Sequence, residues 1–188
     1  MIDFPPMPAW DSLHPLIIHF PIALLLIAPL FVVLGSLLRP DRGRPYLTVA
    51  LILMILGTVA IYFAISTGES AGQLAERSPA VNAVLEHHQE LGETTGAVFL
   101  VLTVLLAGIL SGPALLRRAL ERTVMRSLLA VFLLAYLAGS VMLANTAHNG
   151  GRLVHELGVR ALMASEPLPS KVREPHFPSR ASLATSQR

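Results

Sequence analysis

Four long runs contain no Asp, Glu, Lys or Arg, at residues 12–38, 46–68, 94–116 and 127–151, and the charged positions fall in the gaps between them. Each run reaches the roughly 20 residues that a helix needs to cross about 30 Å of hydrocarbon. Unpaired backbone groups are prohibitive in lipid, and the runs are too long and too uniformly apolar for barrel strands, so helices are the spanning elements. The pattern predicts an all-α polytopic membrane protein, a four-helix bundle over residues 12–160. Within the first run, Pro15 suits an opening turn with Ser12 or His14 as its cap, and Pro21 frees a carbonyl one turn back and bends the helix beside His19. After the fourth run, Asn149, Gly150 and Gly151 are expected to break the helix, and GRLVHELGVRALMA then has the near-helical alternation of a short interfacial helix. Residues 161–188 are rich in Pro, Ser and Arg without periodicity, as expected of a disordered or partner-bound tail.

Composition supports the membrane reading: 53% of the 188 residues are hydrophobic and 14% are charged, against about 25% in a soluble domain. There is no cysteine, which excludes disulfides, thiolate zinc sites, iron–sulfur clusters and covalent c-type haem as features borne by this chain. The first run is no secretion signal, because the residues before it carry Asp3 and Asp11 and no basic residue.

Charge sets the orientation. Arg39, Arg42 and Arg44 follow the first run, and Arg117, Arg118, Arg122 and Arg126 follow the third, so these seven share one side. The intervening segment, read as a loop over 69–93, holds Arg77 against Glu69, Glu76, Glu86, Glu90 and Glu93. The positive-inside rule makes the arginine side cytoplasmic and puts both termini outside, in the periplasm of a cell that has one.

The histidines all avoid the arginine side. His14 and His19 open the first run, His87 and His88 precede the third, His148 ends the fourth, and His155 and His176 follow. In an up-down-up-down bundle those ends converge. His14 and His19 are about 140° apart around a helix and His87 and His88 about 100° apart, so one of each pair faces inward. By depth, His19 is the expected inward member of the first pair, since a polar group in the membrane faces the interior and has a partner.

Three chemistries use such a cluster. One is a non-covalent b-type haem with two axial imidazoles between helices. Another is a Zn or Cu site of several imidazoles, with Glu86, Glu90 or Glu156 behind them. The third is a proton or quinone site. A carboxylate-bridged di-metal centre is a poorer candidate, because Glu-x-x-His repeats are absent. Gly57, Gly68, Gly96, Gly108 and Gly139 are read as helix-packing positions.

Four separated stretches, HPLIIHFPIALL (14–25), TGESA (67–71), HHQELGE (87–93) and HNGGRLVHELGV (148–159), resemble in order an uncharacterised family of bacterial four-helix membrane proteins, a domain of unknown function. Its signature is similar to HPxxxHFP in the first helix, TG after the second, H-x-E-x-G-E before the third and GG-x-L-V-[YH]-x-x-G-V after the fourth. The resemblance covers residues 13 to 160. It implies recurring histidines at His14, His19, His88 and His148, with His155 where members carry Tyr or His, and so favours His88 over His87. A histidine seen two residues beyond is Leu157 here. Members resemble partners of, or fusions to, c-type cytochrome modules, which implies electron-transfer company.

These readings converge on a membrane electron carrier with haem b near the outer face, held by two of His19, His88 and His148, with His14 and His155 as further candidates. It would pass electrons between the quinone pool or a larger membrane complex and a periplasmic cytochrome or copper protein, without turnover of its own. The alternatives are a cofactor-free accessory subunit of a larger membrane complex and a Zn- or Cu-handling membrane protein that uses His19, His88 and His148.

Overall fold

A computed structural model describes residues 10–75, 77–115, 117 and 120–159. Glu76, Arg118, His176 and the tail 161–188 lie outside the described residues. A 3-10 turn, Trp10–Leu13, leads into α1 (His14–Ile17) and α2 (His19–Leu37), followed by α3 (Pro40–Gln73), α4 (Pro79–Leu115) and α5 (Arg122–His155). Four apolar helices, with α1 and α2 together making the first, are each long enough to cross a membrane. The chain is therefore a multi-pass membrane protein.

Short connections make sequential helices neighbours. α2 packs on α3, α3 on α4, α4 on α5, and α5 closes the ring against α2. The buried core is narrow: Leu25, Ala28 and Val32 from α2 meet Ala50 and Met54 from α3, Phe99 and Leu106 from α4, and Leu129, Phe132 and Tyr136 from α5. Large apolar residues cover the outside, as with Val104 at 62% and Leu134 at 70% exposure. That inversion of a soluble surface suits acyl chains as solvent.

Proline shapes the first helix as expected. Pro21 has no N–H for the carbonyl of Ile17, and the helix is interrupted at Ile18, whose own carbonyl takes a long 3.5 Å bond from the Ile22 N–H. Pro29 likewise leaves the Leu25 carbonyl without its helical donor, and there the Tyr136 hydroxyl of α5 donates to it at 2.6 Å.

Two expectations need correction. The acidic segment 69–93 is not a loop: α3 runs to Gln73 and α4 starts at Pro79. The helices outlast their charge-free runs because Glu86, Glu90 and Glu93 sit on an exposed face while Val81 and Leu85 stay buried. At 1.5 Å per residue the 37 residues of α4 extend about 55 Å, well beyond the hydrocarbon. Neither do Asn149, Gly150 and Gly151 break the last helix. Asn149 is buried, its amide donates to the Asn145 carbonyl at 3.0 Å, and α5 continues to His155, with Gly158 in a left-handed conformation (φ 67°) beyond its end. Residues 151–155 of the expected interfacial helix thus belong to α5, and 160–164 lie outside the described residues.

Candidate functional site

At the end of the bundle away from the arginines, α1 and α4 occupy opposite corners, and their inner faces bring His14 and His88 together. The ring centres are 6.4 Å apart and the planes 77° from parallel. Each ring is fixed by the helix beside it. His14 Nδ1 donates to the Ala64 carbonyl of α3 at 2.9 Å, with Thr67 Oγ1 at 3.3 Å. His88 Nδ1 donates to the Thr146 carbonyl of α5 at 3.0 Å. A carbonyl only accepts, so Nδ1 carries the hydrogen in both rings, and in the neutral form each Nε2 keeps its lone pair. Neither Nε2 has a hydrogen-bond partner among the described residues.

Glycine makes room for each ring. A Cβ at Gly68 would lie 2.8 Å from Cε1 of His14, and one at Gly150 would lie 3.0 Å from Cε1 of His88. Gly57, Gly96 and Gly139 face apolar side chains across helix contacts, as expected of packing positions, whereas Gly108 meets nothing within 4 Å. Gly68 belongs to the site rather than to helix packing. Thr95 and Thr146 join their hydroxyls at 2.9 Å just below His88, so α4 and α5 are linked by polar contacts at this level.

Both imidazoles line a cavity of about 410 Å³. Ile18, Pro21, Ile22, Ile61, Ile65, Leu85, Leu143 and Leu153 form apolar walls, and small residues such as Ala71, Gly72, Gly92 and Gly151 leave space between the helices. Glu69, Gln89, Glu93 and His155 supply its polar groups.

The other sequence candidates stand apart. His19, His87 and His148 are exposed and do not line the cavity; His155 is exposed but does line it. The two rings per helix pair do split as the angular spacing requires, with His14 and His88 turned inward. Among the described residues no three His, Asp or Glu side chains are grouped as a metal would need. Two imidazoles with free Nε2 atoms in an apolar cavity can ligate a metal centre from two sides, or donate and accept protons.

A family model described as "Predicted membrane protein (DUF2231)" matches residues 11–162, most of the chain, and the protein belongs to that family. No curated protein and no solved structure matches it.

Proposed function

We propose that this member of the family is a membrane electron carrier that holds a b-type haem between His14 and His88. The observation that carries the reading is the ring pair itself. Two imidazoles binding one metal from opposite sides at about 2.0 Å per bond have ring centres roughly 6 to 6.5 Å apart. The separation of 6.4 Å matches that span. Both Nδ1–H groups are held by carbonyls, the usual support for a ligating histidine, which fixes the tautomer and makes Nε2 more basic. The apolar walls suit a porphyrin. Haem bound there supplies a one-electron couple. His19 and His148, favoured by depth and by the family resemblance, are exposed, so the ligand assignment moves to His14 and His88.

The positive-inside rule puts this site at the periplasmic end of a bacterial inner-membrane protein. Exposed Glu86, Glu90 and Glu93 beside it suit a basic periplasmic cytochrome or a copper protein as redox partner.

The test is a reduced-minus-oxidised spectrum of the protein purified in detergent after expression with haem supplied. Wild type is expected to show b-type bands near one haem per chain. His14→Ala and His88→Ala should each lose them, and His19→Ala and His148→Ala should keep them. A colourless wild type, or bands that survive both His14→Ala and His88→Ala, overturns the reading.

A further inference from the structure

The opposite end of the bundle holds a second cavity, of about 380 Å³, and its lining is of another kind. Arg44, Arg122 and Arg126 stand on one part of its wall, and Leu47, Leu110 and Leu129 on another. Arg126 is set in place by the chain: its Nε and Nη2 donate to the carbonyls of Ser36 and Leu37 at 3.1 Å each, in the last turn of α2, which leaves Nη1 uncommitted. Arg44 and Arg122 take part in no ion pair among the described residues, where the pairs formed are Arg39 with Asp41 and Arg152 with Glu156.

Two helices also begin here. α3 starts at Pro40 and α5 at Arg122, both residues lining the cavity, and neither N-terminus is capped by a side-chain hydrogen bond. The start of α5 presents free N–H groups and a positive dipole end, which favour an anion, whereas at α3 Pro40 has no N–H, the Arg42 and Gly43 N–H groups donate to the Arg39 carbonyl and Asp41 stands in the first turn. Three guanidinium groups and the uncapped start of α5 therefore give the cavity a cationic mouth. Leu47 and Leu129 lie near the start and Leu110 near the end of their charge-free runs, so the same cavity passes from the headgroup level into the hydrocarbon.

We propose that this cavity binds an anionic phospholipid, with the phosphodiester among Arg44, Arg122 and Arg126 and the upper acyl chain along Leu47, Leu110 and Leu129. Phosphate is the shared chemistry of a lipid headgroup and of the free ion, but only a lipid uses the apolar part. Basic pockets between transmembrane helices recognise lipid headgroups in this way. The site is separate from the histidine pair and does not depend on it.

The full chain, purified in mild detergent from bacterial membranes, is extracted and its retained lipids quantified by mass spectrometry. Melting is then followed on adding phosphatidylglycerol, phosphatidylcholine or inorganic phosphate alone. Wild type should retain phosphatidylglycerol or cardiolipin, and only anionic lipid should raise its melting temperature. Arg44→Gln/Arg122→Gln should bind phosphatidylglycerol roughly tenfold more weakly. Arg39→Gln/Arg42→Gln, with the same charge change outside the cavity, should bind it as wild type does. Equal loss in both double variants, an equal response to phosphatidylcholine, or a full response to inorganic phosphate alone overturns the proposal. If Arg44→Gln/Arg122→Gln loses its helical circular dichroism, the wild-type lipid comparison and the control variant decide.

Discussion

Gly68 and Gly150 are as much part of the histidine site as the imidazoles, since each stands where any side chain would press on a ring. In Gly68→Ala the added methyl meets His14, and in Gly150→Ala it meets His88, so the ring must shift from its place beside the carbonyl. Each variant is expected to fold, with unchanged helical circular dichroism, and to bind well under half the wild-type haem by pyridine haemochrome assay. Gly108→Ala, which meets nothing, is the control and should bind as wild type. The sequence offered a better guide to these positions than depth did. His14 lies on the stripe Ile18, Pro21, Leu25, Ala28, Val32 and Gly35 at alternating spacings of three and four, whereas His19 lies off it. His148 misses the corresponding stripe of α5, which runs through Leu143, Thr146, Gly150 and Leu153. What no spacing could supply is the pairing of each ring with a carbonyl on a neighbouring helix, because that depends on how the helices are set against each other.

The helices carry the same lesson in their lengths. Ending each at its first charged residue made the acidic segment a loop, yet Val81, Leu85, His88, Gly92, Thr95 and Phe99 continue one inward stripe through it. Charge on one face of a helix that protrudes into water costs little, so charge marks the membrane boundary and not the helix end. The number of crossings was legible from the four apolar runs alone. Within the bundle, Tyr136 caps a carbonyl that Pro29 deprives of its donor, which makes a specific energetic prediction. Tyr136→Phe should destabilise the protein by about 1 kcal/mol in a reversible SDS titration. In a Pro29→Ala background residue 29 regains its N–H, the Leu25 carbonyl has a helical donor again, and the same Tyr136→Phe change should cost less. Equal costs in both backgrounds would assign the effect to packing of the ring.

For the molecule as a whole, the two ends differ in chemistry and so in the side of the membrane they face. The absence of cysteine allows single cysteines to report this directly. Glu86→Cys, exposed at the histidine end, should react with an impermeant maleimide in intact spheroplasts, and Thr123→Cys, exposed at the arginine end, only after permeabilisation. The described residues that line the histidine cavity run from His14 to Val159.

His14 belongs to the first helical hairpin and leans on that hairpin's second helix, while His88 and the helix that steadies it come from the second hairpin. Neither half holds both rings, so nothing can be gripped by the pair until the later half has entered the lipid and docked. A group held by the pair as proposed would therefore load late in biogenesis and would act as a clasp that resists separation of the halves.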